Sequence, residues 1–240
     1  MCWPRSIINT CSRFSSVEIV KCGEGGTLVP GLFRAEVDLQ RSRRWFLGTA
    51  FCGLVAPAFA KRAPRGRRIT ARVNPALLQR AFAALEQHQQ AIEHRDVIAI
   101  ADFSLPSRAP RFHLLDVAGG SVTSHLVAHG RGSDPARTGW LERFSNEPNS
   151  NATSAGAYRT AGIYSGAHGR SMRLEGLDAS NSNAASRALV VHGAWYVSDG
   201  MIERWGMLGR SQGCFALSPN SLEEVLVRLG PGRLIYAGKA

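Results

Sequence analysis

The sequence predicts a mainly β domain with helices at its edges. Short apolar or alternating runs begin at residue 97, a helical pattern precedes them at residues 75–93, and a second helical pattern follows Ser218. The chain has 240 residues, of which 44% are hydrophobic and 20% are charged. These fractions are ordinary for a globular protein and exclude a wholly disordered, collagen-like or coiled-coil chain.

Residues 41–60, RSRRWFLGTAFCGLVAPAFA, have the pattern of an export signal. An arginine pair precedes a short apolar run, and a small-x-small sequence ending at Ala60 supplies a cleavage site. The arginine pair followed by Phe-Leu resembles a twin-arginine signal. The apolar run is shorter than the roughly 20 residues that a spanning helix needs. We therefore expect cleavage after Ala60, no membrane span after processing, and a periplasmic or wall-associated protein.

Removing this leader leaves a single cysteine. Residues 1–40 are unusually long for such a leader, which a non-Met start near Val37 would explain. Without residues 1–60 the chain keeps 22 basic and 14 acidic side chains and one thiol, Cys214. A lone thiol in an oxidising compartment has no disulfide partner within the chain. Cys214 is therefore either a buried small side chain or a nucleophile.

The rest of the chain is expected to be a basic linker, residues 61–73, followed by a single domain, residues 74–240. Asn74 supplies an N-cap and Pro75 occupies the first helical position, so residues 75–93 are expected to form an amphipathic helix. The runs VIAIADF, RFHLLDV and SVTSHLVAH follow. A Gly-Gly turn between the last two predicts a β-hairpin.

The second half of the domain alternates loop-rich and apolar segments. Residues 130–187 are rich in Gly, Ser, Asn and Ala, which predicts short strands joined by long loops. Residues 187–197, RALVVHGAWYV, predict a buried strand. Ser218 begins a short helix with its leucines and Val225 on one face, a Gly-Pro-Gly sequence ends it, and RLIYAG predicts a final strand.

Two short motifs contain the candidate chemistry. His192 ends an apolar run and precedes Gly193, which places an imidazole where a strand meets a loop. A thiol is mostly protonated at neutral pH, and an imidazole beside Cys214 could accept its proton. Gly213 allows the backbone to turn closely at this point. The amides of Gly213 and Cys214 could then form an oxyanion hole.

At these motifs the sequence resembles the L,D-transpeptidase catalytic domain family of bacterial cell-wall synthesis, in its murein L,D-transpeptidase-like branch. The resemblance covers much of residues 110–218, including the segments AHGRGS, FSNEPNS and GAYRTAGIYSGAHGRSMRLEGLD. The motif residues that match are His192-Gly193 and Ser211-Gln212-Gly213-Cys214. The resemblance implies a mixed β-sandwich-like fold, no cofactor, and peptidoglycan stem peptides as the substrate.

The resemblance also implies a mechanism. Cys214 attacks the carbonyl of the third stem residue, a diamino acid, and expels the terminal D-alanine, while His192 acts as the base and then as the proton shuttle. An amine from a neighbouring stem resolves the acyl-enzyme to a cross-link, and water gives an L,D-carboxypeptidase instead. The Ser211 hydroxyl is expected to support the turn or the imidazole. Three further residues at family positions near the cleft are expected to contact substrate: Tyr164, His168 and Arg210.

Two alternatives remain open at the same motif. Gln212 and Ala216 stand where many family members have His and Arg, which favours a catalytically inactive wall-binding relative as one alternative. Residues 209–213, GRSQG, also fit the nucleophile elbow of a serine esterase that uses Ser211. That fold needs a His after the Ser in the chain, and none follows His192.

Metal and nucleic-acid binding are less favoured by the residues. His125 and His129 would share one face of a strand and could form a zinc pair, but the segment HLVAH lacks the Glu of the H-E-x-x-H motif. We expect no metal. The basic charge suits an anionic wall polymer. Export and the lack of an aromatic-basic recognition motif in the sequence argue against nucleic acid.

Overall fold

The computed structural model describes residues 72–240, so the predicted export signal at residues 1–60 and nearly all of the predicted linker lie outside the described residues. Helix α1 spans Pro75–Gln87. The Asn74 side chain accepts a hydrogen bond from the Ala76 N–H at 2.9 Å, as expected of an N-cap. The helix ends before residue 93, because His88 leaves the helical path and its Nε2 lies 2.8 Å from Asp178.

Nine strands in residues 72–240 form one mixed sheet. They are β1 Val97–Asp102, β2 Phe112–Asp116, β3 Val122–His125, β4 Val127–Ala128, β5 Gly156–Gly166, β6 Gly169–Gly176, β7 Val190–Gly193, β8 Phe215–Leu217 and β9 Leu234–Gly238. Their order across the sheet is β3-β2-β1-β9-β5-β6-β7-β8-β4. The pairs β1–β9 and β7–β8 are parallel, and the other neighbours are antiparallel.

The sheet curls until its two edges meet. Strands β3 and β4 lie at opposite ends of the sheet order, yet only Leu126 separates them in the chain. One intervening residue spans at most about 7 Å, so the two edges must be close in space. The curled sheet encloses a core between its inner faces, as in a sandwich. The predicted mainly β, sandwich-like fold with helices at its edges is therefore confirmed.

The core fixes the start of β8. The Phe215 ring lies 5.4 Å from the Tyr158 ring and 6.1 Å from the Phe103 ring, centroid to centroid. Helix α3, Pro219–Leu229, covers this core with Leu222, Val225, Leu226 and Leu229, the face that the sequence predicts. Because Phe215 directly follows Cys214, its packing holds the candidate nucleophile in place.

Three segments differ from the sequence prediction. Residues 130–187, predicted to form short strands, contain the long hairpin of β5 and β6. Strand β5 is buried only in its first half and continues as an exposed ribbon, so its length leaves little apolar signal in the sequence. A second helix, α2, spans Asp199–Trp205 and buries none of its residues, so no apolar face indicates it in the sequence. The strand predicted over residues 187–197 is only β7, because Ala188 has a left-handed backbone, with φ of 51°.

None of the helices in residues 72–240 combines the length and the apolar character needed to cross a membrane.

Candidate active site

A cavity of about 640 Å³ lies beside the parallel strands β7 and β8. It brings together five of the seven side chains that the sequence singled out: Cys214, His192, Ser211, His168 and Arg210. In the chain, Gly213 lies between Gln212 and Cys214, which both line the cavity. Tyr164 does not line this cavity, and its ring lies 4.2 Å from the guanidinium carbon of Arg173 instead. The structure therefore assembles the candidate site without Tyr164.

The Ser211 hydroxyl braces the turn that carries Cys214. Ser211 is 5% exposed, and its Oγ donates to the Cys214 carbonyl oxygen at 2.7 Å. Ser211 Oγ also accepts a hydrogen bond from the Gly213 N–H at 3.1 Å. The Gly213 amide was expected to form part of an oxyanion hole, but here its N–H is already hydrogen-bonded to Ser211. The hydroxyl contacts backbone groups rather than a base, which disfavours the serine esterase alternative.

Only glycine fits the backbone at position 213. Gly213 has a φ of 120°, a region that L side chains rarely adopt. A Cβ atom there would lie 2.8 Å from the Ala152 carbonyl oxygen and 2.8 Å from a Leu189 methyl group. The turn therefore approaches the Ala152 backbone more closely than a side chain would permit, as the sequence interpretation of Gly213 requires.

His192 is held as a neutral imidazole. Its Nδ1 lies 2.9 Å from the Gly193 carbonyl oxygen, which can only accept, so Nδ1 carries the ring proton and Nε2 is left as an acceptor. Burial lowers the pKa of His192, and the neighbouring His168 lowers it further, against the opposing effect of the Gly193 carbonyl. A lowered pKa keeps the imidazole unprotonated at neutral pH, which a general base requires.

His168 lies directly against this base. It occupies the turn between β5 and β6, and its ring stacks on that of His192 with 4.4 Å between centroids and 25° between planes. The hairpin therefore places a second imidazole over the first, where two positive charges would repel each other.

Replacing His168 with Gln is expected to raise the pKa of His192. The change removes both a like charge and part of the cover that desolvates the ring. Titration of the His192 imidazole by NMR would measure this shift. The exposed His94, replaced with Gln in the same way, is the control and is expected to leave the His192 titration unchanged. An unchanged or lowered His192 pKa in the His168 variant would contradict the stacking account.

Cys214 is half-buried and rests as a thiol. Its Sγ donates to the Ala188 carbonyl oxygen at 3.7 Å, and the residues described include no hydrogen bond between this thiol and His192. Burial raises the pKa of Cys214, whereas the Val190 backbone N–H and the Arg187 guanidinium lower it in part. With a raised thiol pKa and a lowered imidazole pKa, the resting pair is neutral rather than an ion pair.

Arg187 is a charged lining residue that sequence reasoning missed. Its guanidinium donates to four acceptors, and all of them lie in the loop of residues 145–154. They are the Ser145 carbonyl at 2.8 Å, Ser154 Oγ at 2.7 Å, Ser150 Oγ at 3.1 Å and the Ala152 carbonyl. This fork holds a positive charge beside the thiol. No sequence signal identifies it, since every acceptor is more than 30 residues away in the chain.

A buried polar cluster supports the same turn from below. Arg111 is fully buried, and its Nη2 donates to His129 Nδ1 at 2.7 Å. Because a guanidinium only donates, His129 must be neutral with its proton on Nε2, which lies 3.5 Å from Asp134. The His129 carbonyl accepts the Ser211 N–H at 2.9 Å. The cluster thus connects directly to the nucleophile turn.

The two histidines of the zinc alternative have different neighbours. His129 Nδ1 is occupied by Arg111, and His125 Nε2 lies 3.9 Å from Glu224. Residues 72–240 contain no group of three or more His, Cys, Asp or Glu side chains arranged to hold a metal ion.

Replacing Arg111 with Leu is expected to destabilise the fold by about 3–5 kcal/mol, because buried acceptors lose their only charged donor. Those acceptors are His129 Nδ1, the Val127 carbonyl and the Leu105 carbonyl. Urea unfolding of the purified protein would measure the loss. The same change at the exposed Arg108 is the control and is expected to cost less than about 0.5 kcal/mol. Equal effects at the two positions would contradict the role of the cluster.

The two departures from the family motif lie in different surroundings. Gln212 is exposed and lines the cavity, so it is a neutral group at the rim. Ala216 is fully buried against Ala128, Val197 and Leu208, away from the cavity lining. An arginine would have no room at position 216 in this packing.

Comparison with known proteins identifies a family. The family model for the L,D-transpeptidase catalytic domain matches residues 69–237. Among solved structures, the chain is similar to an L,D-transpeptidase from Mycobacterium smegmatis, with 15% identity, a TM-score of 0.37 and coverage of 60% of this chain and 58% of that one.

A second similar structure is L,D-transpeptidase 3 from Mycobacterium tuberculosis in complex with a faropenem-derived adduct, with 16% identity, a TM-score of 0.39 and coverage of 59% of this chain and 60% of that one. The chain thus spans about three fifths of the length of these structures. Among curated proteins, none matches the chain significantly.

Proposed function

Because the chain belongs to the L,D-transpeptidase catalytic domain family, we propose that it transfers acyl groups between peptidoglycan stem peptides through a covalent intermediate on Cys214. The observation that carries this proposal is the shared cavity of the Cys214 thiol and the neutral His192 imidazole. Arg187 and Arg210 line the same cavity, and none of the described residues that line it is an Asp or a Glu. This charge balance favours a substrate with carboxylates.

In the first step, Cys214 Sγ attacks the carbonyl carbon of the third stem residue. The unprotonated Nε2 of His192 accepts the thiol proton as the sulfur–carbon bond forms. The thiol must therefore turn from the Ala188 carbonyl towards the imidazole when substrate binds. Catalytic hydrogen bonds commonly form only in the substrate complex.

The intermediate then collapses to a thioester. Its oxyanion lies near the Cys214 amide and the fixed Arg187 charge, which together stabilise it. Cleavage of the peptide bond expels D-alanine, whose amine takes the proton from His192. An amine of a second stem attacks the thioester, His192 accepts its proton, and the released thiolate is reprotonated. Water in place of the amine gives a carboxypeptidase product.

Arg187 is proposed to make the thiol easier to ionise. Replacing Arg187 with Gln should raise the pKa of Cys214 further, because a positive charge that lowers this pKa is lost while burial remains. Alkylation of Cys214 by iodoacetamide should then be slower at neutral pH, with its rate profile moved to higher pH. Arg210 lines the same cavity but is not among the groups that shift this thiol, so Arg210→Gln is the control. Identical alkylation profiles for the two variants would contradict this role.

We also propose the location and domain layout of the working protein. Residues 1–60 would direct export and be removed, residues 61–73 would link, and residues 74–240 would form the catalytic domain at the cell wall. The excess of basic side chains after residue 60 supports contact with an anionic wall polymer.

The function is tested by incubating the purified protein with stem tetrapeptides and analysing the products by mass spectrometry. Cross-linked dimers support transpeptidation, shortened tripeptides support carboxypeptidation, and unchanged tetrapeptide contradicts both. Reaction with a β-lactam of the carbapenem type distinguishes the proposed enzyme from the remaining alternative, an inactive wall-binding relative. An inactive wall-binding relative should not acquire the mass of the drug on Cys214, whereas the proposed enzyme should acquire it stoichiometrically.

A further inference from the structure

A groove continues from the Cys214 cavity across the end of β7. A cavity of about 240 Å³ shares His168 with the Cys214 cavity. A third cavity, of about 710 Å³, shares Trp195 and Pro219 with the second. We call the second and third cavities together the Trp195 groove. The shared lining residues place the three cavities next to one another, so a long substrate in the Cys214 cavity can extend towards this groove.

Trp195 forms the wall between the two parts of the groove. It is 77% exposed, and its ring meets that of Tyr196 edge-on, with 5.9 Å between centroids. Tyr196 in turn lines the Cys214 cavity. A single exposed tryptophan needs no explanation by itself. This one, however, lines two cavities, and its ring contacts that of Tyr196, which lines the candidate active site.

Polar groups surround the indole ring. Ser198, Asp199 and Asn220 line the larger part of the groove, and the Ser198 side chain makes no capping hydrogen bond to helix α2. Arg108 lines the same part. A flat apolar ring bordered by polar side chains suits a ligand with one apolar face and a polar edge.

The Trp195 groove has equal numbers of basic and acidic side chains, whereas the Cys214 cavity has an excess of basic ones. Arg108 faces the groove together with Asp199, and Arg170 is paired with Glu223 in its smaller part. The groove therefore suits a neutral ligand, whereas the cavity with two arginines suits an anionic one. A nucleic acid or an acidic peptide would meet carboxylates along the groove.

We propose that the Trp195 groove binds the glycan strand of the substrate, with the indole against one face of an N-acetylhexosamine ring. A pyranose ring has a face of C–H groups that packs on an aromatic ring and an edge of hydroxyl and amide groups that hydrogen-bond. The sugar is neutral, as the groove requires. The inference rests on the proposed function, because a stem peptide in the Cys214 cavity is attached to such a strand.

The test is binding of tetra-N-acetylchitotetraose to the full chain, measured by calorimetry. Trp195→Ala is expected to weaken the affinity by at least about tenfold, and Trp195→Phe is expected to give an intermediate value. Trp205→Ala is the matched control, since Trp205 is 50% exposed and lines none of the three cavities. Asn220→Ala provides a second variant if the Trp195 change impairs folding, and should also weaken binding.

The proposal is overturned if the oligosaccharide does not bind saturably, or if Trp195→Ala and Trp205→Ala bind it equally. It is also overturned if a sugar-free stem tetrapeptide, rather than the oligosaccharide, perturbs the Trp195 indole N–H signal in NMR spectra. The oligosaccharide carries no peptide, so its binding does not depend on Cys214 chemistry. Sugar binding without tetrapeptide turnover would therefore refute the proposed function but still support the Trp195 groove as a sugar-binding site.

Discussion

Replacing Cys214 with Ala is expected to abolish cross-linking of stem tetrapeptides, with a loss in kcat/KM of at least about a thousandfold. The change removes the atom that forms the covalent intermediate. It removes little volume from a half-buried position, so the fold should be retained. The yield of dimers by mass spectrometry measures the activity, and thermal unfolding of the same preparation measures the fold.

The matched control is Ser211→Ala on the same turn. Among residues 72–240, the Ser211 hydroxyl bonds only to the Cys214 carbonyl and the Gly213 amide, so its removal should loosen the turn and leave substantial activity. The loss should be smaller than that of the Cys214 variant by at least about tenfold. An inactive Ser211 variant beside an active Cys214 variant would establish a serine nucleophile and refute the account.

Replacing His192 with Gln is expected to lower kcat by about 10²–10⁴-fold at neutral pH while KM changes little. Gln retains the polar character of the position but cannot accept and return a proton. Because burial keeps the Cys214 thiol protonated near neutrality, the reaction depends on an external base there. Steady-state kinetics on stem tetrapeptides would measure the two parameters separately.

The pH dependence of the His192 variant gives a second readout. The pKa of Cys214 is raised, so its thiolate forms unaided only in the alkaline range. The deficit of His192→Gln should therefore shrink as the pH rises into that range. His94→Gln, at an exposed position, should stay within about twofold of the native rate. A deficit that is constant with pH, or no deficit at all, would refute the role of His192 as base.

Local signals predicted part of this fold. The caps at Asn74 and Ser218 identified the starts of two helices, and the Gly-Gly turn identified the hairpin of β2 and β3. Those signals depend on residues close in sequence. Helix α2 has no buried residue, and therefore no periodicity to reveal it. The closure of the sheet depends on pairing between distant strands, which no local pattern encodes.

The site shows the same division. Their motifs predicted Cys214 and His192 as candidates, because chemistry restricts which residue types can serve there, and both line one cavity. Arg187 could not be predicted, since its position depends on a loop far away in the chain. The contacts of Arg111 with His129 are likewise visible only in three dimensions. Tyr164, which the resemblance predicted to contact substrate, lies outside the cavity lining.

The central claim is that the acyl group is carried on Cys214. It is tested most directly by quenching a brief reaction of the protein with stem tetrapeptide in acid and weighing the proteolytic fragment that contains residue 214. The account predicts that this fragment gains the mass of the tetrapeptide less D-alanine, bound as a thioester, and that Cys214→Ala gains nothing. Dimers that accumulate while this fragment stays unmodified, or an acyl group found on Ser211, would contradict it.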